Sequence, residues 1–492
     1  MHPPVQGEPL CTAAANPRRW LGLTGLAFGV FVTILDTTVL IVAVPTLVRE
    51  LGASLEAIQW VIAGYSLIFA SLLVLCGRIG DLFGHRKMVV TGLIVFAVGA
   101  LVASLSHSAT TLFVGDALIE GIGAAMMSSS SLALINNEFT GKERAGAFGL
   151  FGGLAGIAGA FGPVIGGWLT TDESWRWAFR INVVLAPVLV FFVLAGIHEV
   201  RRNGRRPRID LAGVLSVTLG LFFLVFAIIE APSYGWWKPL RPLTINGKLL
   251  NPNDLSMVPI ALGIAVVCLV SFVFIERIKD HHDHDPLYPF SMLRYRSFHF
   301  GMLTTGLLAA GEFTMFFVLS IVLQSALHLS ALDTGLWILP FGVAAIFGAG
   351  IGIGLAQRFG AKQTVTIGMA LETFGLIWVA MKIGPHVTLL GLVPAILTYG
   401  IGMGFATAQL GNITLAEIPQ RVAGVASGVN NTVRQVGAAL GIAMVGAAYN
   451  GGGGRQAVLV AAGAVFLGVI ASSLIPAGVS APAAPARVET YR

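Results

Sequence analysis

The chain has 492 residues, 55% of them hydrophobic and only 11% charged, with a mean hydropathy of +0.83. An ordinary soluble domain carries about 25% charged residues, so a water-solvated core is excluded and lipid is the expected solvent. The net charge of +6 does not argue for a nucleic-acid partner, because the basic residues fall in short loops between apolar runs rather than along one face.

Residues 1–20 are polar and proline-containing and are expected to form a cytoplasmic tail. The first apolar run carries an aspartate and lacks a small-residue cleavage site, so it reads as a retained helix rather than a signal peptide. A bilayer core of roughly 30 Å is crossed by about 20 apolar residues in a helix. Apolar runs near 21–46, 55–76, 88–106, 111–135, 145–169, 177–197 and 210–231 predict seven such spans, and those near 255–275, 298–325, 332–355, 363–383, 387–412, 422–448 and 456–476 predict seven more. Fourteen spans return the chain to the side on which it starts. Loops on that side collect Arg78, Arg86, Lys87, Lys142, Arg144 and the run from Arg201 to Arg208, so the positive-inside rule puts both termini in the cytoplasm. In the fifth span Gly149, Gly152, Gly153, Gly156, Gly159 and Gly162 suit helices that approach closely and slide.

Between the seventh and eighth spans, Tyr234 to Asp254 form an unusually long outward segment. Within it Asn246-Gly247 favours a type I′ turn, which predicts a small external β-hairpin at about 236–254, with a plain loop as the alternative. The tract His281, His282, Asp283, His284 and Asp285 lacks helical ligand spacing and reads as a solvated loop rather than a metal site. Cys11, Cys76 and Cys268 form no CxxC pattern and imply neither a disulfide framework nor a metal centre. No cofactor is expected, and no Ser/His/Asp set or phosphate-cradling glycine loop points to an enzyme.

Gly77-Arg78-Ile79-Gly80-Asp81-Leu82-Phe83-Gly84-His85-Arg86-Lys87 makes a tight inner loop between the second and third spans. Its glycines permit a short crossing, and Asp81 and Arg86 are placed to latch neighbouring helices by charge-assisted contacts, with Lys87 adding a further base. This loop resembles the signature loop of the major facilitator superfamily. Leu35-Asp36-Thr37-Thr38 through Pro45 resembles the first-helix motif of that superfamily's fourteen-span drug:proton antiporters, the EmrB/QacA type, and Gln59-Trp60 with Tyr65 match the second helix. Gly162-Pro163-Val164-Ile165-Gly166-Gly167 resembles the antiporter motif, and Ser174 to Phe179 with Asn182 follow it as in those proteins. Ala426-Ser427-Gly428 to Arg434-Gln435-Val436-Gly437 is similar to the thirteenth helix. A weaker echo of the first loop, Ile353 to Lys362, puts Gln357 where Asp81 stands.

The resemblance implies an all-α membrane fold with a six-helix half at 21–197, two additional helices at 210–275, a second half at 298–476 and a cytoplasmic tail at 477–492. It implies a monomeric proton-driven antiporter of a bacterial plasma membrane that exports lipophilic or cationic small molecules from a site near the midplane between repeats. A dedicated exporter of one metabolite, lipid or siderophore is the alternative within transport, and a non-transporting sensor lies outside it. Two positions depart from the pattern. Ala117, flanked by Asp116 and Glu120, stands where the fourth helix usually carries an arginine, and Ile41 replaces a common asparagine.

Charges at membrane depth cost on the order of 2.5–3.5 kcal/mol, so each calls for a partner or a task. Asp36 and Glu312, midway along the first and ninth spans, are candidates for proton coupling and for the substrate cavity. Asp116 and Glu120 stand one turn apart, where carboxyls share a proton. Arg434 either joins the coupling set or pairs with backbone and carboxylates, and Glu372 has no motif around it. Tyr65, Phe316 and Asn430 are candidate cavity residues, although aromatic side chains also face lipid in such helices.

Overall fold

A computed structural model describes residues 18–139, 141–199, 210–240, 244–245, 248–249, 255–281, 288, 290–384, 387–419 and 423–476. The first half comprises α1 (Arg19–Glu50), α2 (Leu55–Phe83), α3 (His85–Ser104), α4 (Ala109–Glu138), α5 (Gly141–Trp168) and α6 (Arg176–Gly196). Two further helices, α7 (Leu211–Tyr234) and α8 (Met257–His281), lead to the second half. That half holds α9 (Arg296–Ala326), α10 (Ala331–Phe359), α11 (Ala361–Lys382), α12 (Leu389–Leu415) and α13 (Ala423–Ser473).

Thirteen helices among the described residues are long and apolar enough to cross a membrane. The count is one below the expected fourteen because the last two apolar runs join in α13, whose spanning stretch of 49 residues would measure about 74 Å at 1.5 Å per residue. Helical geometry breaks within it at Gly452 (φ −157°, ψ 15°) and Gly453 (φ 74°, ψ −173°). The arms on either side, 423–451 and 454–473, each have spanning length.

Local chemistry sets the helix ends. Ser54 Oγ accepts from Ala57 N at 3.2 Å to start α2, and Ser330 Oγ accepts from Asp333 N at 3.0 Å to start α10. Gly84 (φ 108°) ends α2 and Gly360 (φ 92°) ends α10, a conformation that favours glycine. The two glycines hold matching places in the signature loop and its echo, so the repeated sequence makes the same helix stop in each half. Thr244–Ile245 and Lys248–Leu249 pair antiparallel, Thr244 opposite Leu249 and Ile245 opposite Lys248. Asn246 and Gly247, the tract from His282 to Asp285, residues 1–17 of the expected N-terminal tail and the expected tail from 477 lie outside the described residues, whereas Arg19 and Trp20, expected in the tail, open α1.

The halves meet at one end of the bundle. Ser320 Oγ and Gln324 Nε2 on α9 donate to the Val42 carbonyl of α1 at 3.2 and 2.9 Å. Leu332 N on α10 donates to Thr171 Oγ1, just past α5, at 2.9 Å. A Cβ added at Gly167 would stand 2.8 Å from the Ala331 carbonyl carbon, one at Gly335 would stand 2.7 Å from that of Pro163, and one at Gly342 would stand 2.5 Å from Ala160 Cα. Toward the other end, Gly149, Gly152, Gly153, Gly156 and Gly159 on α5 and Gly350 and Gly354 on α10 have nothing within 4 Å of an added Cβ, so the close glycine packing of α5 on α10 does not continue there. A cleft therefore opens between the halves toward the end where α1 begins. At the closed end α7 bridges them, as Trp60 Nε1 of α2 donates to Glu230 at 2.8 Å. Glu56 of α2 accepts there from Ser233 of α7 at 3.1 Å and from Asn450 of α13 at 3.3 Å.

Candidate functional site

Two groups of ionisable side chains sit at mid-helix depth, one in each half. In the first half, hydroxyls shape α1 around Asp36. Thr37 Oγ1 donates to the Thr33 carbonyl at 3.1 Å and Thr38 Oγ1 to that of Leu35 at 2.9 Å, back-bonding that bends helices. Asp36 Oδ1 accepts from Asn182 Nδ2 of α6 at 2.8 Å. Opposite it, residues Phe113–Glu120 of α4 form a π-helical stretch, a distortion frequent at functional sites. That stretch brings Asp116 and Glu120 to Asp36, with one oxygen of each of the three carboxyls within 4.8 Å of the others. Gly99 of α3 makes the room, because a Cβ there would stand 2.6 Å from Glu120 Cγ. Asp36, Asp116 and Glu120 are 3%, 1% and 0% exposed, so the trio is buried in this conformation. Asp36 Oδ2, Asp116 Oδ2 and both Glu120 oxygens accept no hydrogen bond among the described residues.

In the second half, Arg434 NH2 of α13 bonds Glu312 of α9 at 3.1 Å to Oε2 and 3.5 Å to Oε1. The Glu312 side chain is 12% exposed and that of Arg434 42%, so the guanidinium reaches open space while its partner stays covered. Asn430, one turn earlier on α13, accepts from Thr305 Oγ1 at 3.1 Å. Behind Glu312, a Cβ at Gly311 would stand 3.3 Å from the Tyr399 hydroxyl and 3.8 Å from Glu372 Oε2. Glu372 is fully buried, so a residue with no motif around it in the sequence belongs to this group. Tyr399, absent from the sequence candidates, also belongs. An aromatic hydroxyl in an apolar run is the only mark it leaves.

Two expected cavity residues are packed away. Phe316 is 3% exposed and meets Phe341 edge-on at 4.9 Å between ring centres. Tyr65 is 3% exposed and packs edge-on to Phe69 at 6.1 Å. Both rings are packed among side chains of their own half in this conformation.

The signature loop also differs in detail. Asp81 Oδ1 pairs with His85 Nε2 at 3.2 Å, and His85 Nδ1 meets Ser130 Oγ at 3.3 Å. Arg86 points to α6 instead, donating from NH2 to the Leu194 carbonyl at 2.8 Å. Glu199, which the sequence reading missed, accepts from the backbone N–H groups of Arg86 at 3.2 Å and Lys87 at 3.1 Å, so a carboxylate from beyond α6 neutralises the α3 N-terminus. A Cβ at Gly84 would strike this carboxylate. Gly77 has ordinary clearance, 3.7 Å from Ser129 Cβ. In the stretch from Gly162 to Gly167, Gly162 and Gly166 seat α5 on Thr38 and Val39 of α1, whereas Pro163 and Gly167 face α10 of the other half.

Comparison with known proteins agrees with this architecture. Residues 26–442 match the Major Facilitator Superfamily. The chain is 33% identical over 461 residues to the puromycin resistance protein pur8 of Streptomyces alboniger, across 91% of this chain and 86% of that protein. It is 32% identical over 459 residues to a probable actinorhodin transporter of Streptomyces coelicolor, across 91% of this chain and 75% of that protein. The multidrug transporter protein MdtP of Bacillus subtilis is 27% identical over 442 residues, across 89% of this chain and 76% of its own length. Among solved structures, a peptide transporter POT mutant superposes with a TM-score of 0.65 at 15% identity, covering 92% of this chain and 93% of that one. A bacterial homologue of the lysosomal transporter Spinster, in an inward-facing conformation, gives 0.62 at 13% identity over 93% and 98% of the two chains. These two likenesses concern the fold.

Proposed function

From its membership of the Major Facilitator Superfamily, to which this chain belongs, we propose that the protein is a proton-driven antiporter exporting lipophilic or cationic small molecules by alternating access. It is a multi-pass membrane transporter, not an enzyme. The observation that carries the export mechanism is the pairing of a one-sided cleft with buried carboxyls at mid-depth in both halves. A carboxyl that binds either a proton or a substrate cation couples the two flows only if both cannot bind at once. Glu312, covered and paired to an exposed Arg434, and Asp36 with Glu120 are assigned this role. Asn430 lies on the α13 wall near Arg434.

The membrane is a bacterial plasma membrane, with fourteen crossings of the EmrB/QacA type when the two arms of α13 are counted separately. Both termini are cytoplasmic, so the cleft is inward-facing and the contacts from Gly167 to Gly342 form the outer seal. The antiporter motif supplies that seal through Pro163 and Gly167, and the loop from Gly77 to Lys87 governs the inner gate. The paired strands near 244–249 lie outside the cell, beside the outer mouth, and the working unit is a monomer.

A second reading, export of one dedicated metabolite, is favoured by the names of two relatives, a puromycin resistance protein and a probable actinorhodin transporter. The deciding experiment is uptake into inside-out vesicles under an imposed pH gradient, with cationic dyes, puromycin and actinorhodin offered in turn. Gradient-dependent accumulation of several chemically unlike compounds supports the multidrug reading, and accumulation of one supports the dedicated exporter. Transport indifferent to the gradient refutes proton coupling.

A further inference from the structure

We propose that Asp36, Asp116, Glu120 and Tyr65 form a binding site for a hard metal cation of sodium or calcium size. Four independent helical positions contribute one oxygen group each, from α1, α2 and the π-helical stretch of α4. The three carboxyls have an oxygen apiece within 4.8 Å of the others. Oxygens about 2.4 Å from one cation stand at most about 4.8 Å apart, so these three carboxyls are close enough to share one.

A second observation points to a ligand. The Tyr65 hydroxyl is enclosed, the side chain being 3% exposed, and no hydrogen bond within 3.5 Å satisfies it among the described residues, Thr37 being the polar side chain beside it. Asp36, Glu120 and Asp116 are the charged groups it faces. A phenol among these acids has a lone pair with which to join a cation that they hold. The donor set is oxygen alone, which suits hard cations and disfavours zinc and copper. Full burial leaves little space for the water molecules that magnesium retains, which favours the larger, more weakly hydrated ions.

Position 117 completes the argument. An arginine there would place a fixed positive charge between Asp116 and Glu120, but Ala117 supplies none. Buried carboxyls either keep a proton or, once ionised, need a counter-charge, and a bound metal ion provides one. Asn182 acts as the outer partner, fixing Asp36 through its amide at 2.8 Å as residues behind metal ligands do.

This inference does not rest on the exporter reading, because its test is equilibrium binding rather than transport. Purified full-length protein in detergent is titrated with radioactive sodium and, separately, radioactive calcium, with potassium and magnesium as competing size controls. One saturable site per chain for sodium or calcium is expected. It should be lost in Asp116→Asn/Glu120→Gln, retained in the surface variant Asp172→Asn, and weakened about 10–100-fold in Asn182→Ala. Tyr65→Phe, which removes no charge and keeps the ring packing, should also weaken it and serves if the double variant does not fold. Absence of saturable binding of either ion overturns the proposal and leaves protons as the only occupants. Binding unchanged in Tyr65→Phe and Asn182→Ala overturns it too, by locating the ion elsewhere.

Discussion

Gly167→Ala should shift the conformational balance away from the state described. The added methyl would stand 2.8 Å from both the carbonyl carbon of Ala331 and Cα of Leu332, and closer still to the Ala331 oxygen. All three are backbone atoms at the start of α10, so no side-chain rotation relieves the contact and the halves must separate at their closed end. Overpacking of this kind costs about 1–3 kcal/mol. Charged only to the state in which α5 touches α10, that cost moves the equilibrium about 5–150-fold toward the opposite opening. The assay places a cysteine at Gly156, where an added side chain meets open space, and measures its labelling by an impermeant maleimide from the cleft side. Labelling should fall in Gly167→Ala and stay level in Gly149→Ala, whose methyl also meets nothing within 4 Å. Gly437→Ala is the contrasting control, because its Cβ would press on Gly306 within the second half and should lower thermal stability rather than change the balance. Unchanged labelling and unchanged turnover in Gly167→Ala would refute the assignment of this contact as a state-specific seal.

Asp36→Asn and Glu312→Gln should each abolish uphill, pH-gradient-driven transport in vesicles while the protein still folds, and wild-type pumping by both variants would remove these acids from the coupling scheme. Asp81→Ala breaks the 3.2 Å contact with His85, and should slow turnover more than it weakens substrate binding, measured by comparing transport rate with equilibrium affinity. Asp210 caps α7 through Gly213 N at 2.7 Å and pairs with Lys279; burial would push its carboxyl up, but bonds with Glu276, Lys279 and the Gly213 N–H hold it below its ordinary value. Its contribution is therefore present at neutral pH and lost as acid protonates the lowered group, so Asp210→Ala should cost about 0.5–2 kcal/mol in thermal unfolding at neutral pH and progressively less below about pH 4. Replacing Leu240 to Asn253 by a short flexible linker should alter substrate range or rate and leave proton dependence intact, which transport of several compounds at matched expression will check.

The apolar runs by themselves determined where the chain becomes helical, because each backbone polar group in lipid must be satisfied within its own helix. Glycine and proline marked the loop at Gly84, its echo at Gly360 and the close-packed stretch from Gly162 to Gly167, since these positions leave little latitude in backbone or side chain. The mid-membrane acids were legible on another ground: a charge at that depth is costly enough to call for a partner or a task. What the sequence left open was partnership across helices. Asn182 meets Asp36 although 146 positions separate them, and Glu312 meets Arg434 across 122; such pairs depend on helix packing rather than on local periodicity. Glu372 and Tyr399 gained meaning only when Gly311 brought three helices together, and Glu199 only when the α3 N-terminus was placed beside it. The single-sided cleft was a tertiary decision as well, because the same helices with the same caps can close at either end, and only the packing of one half against the other selects which.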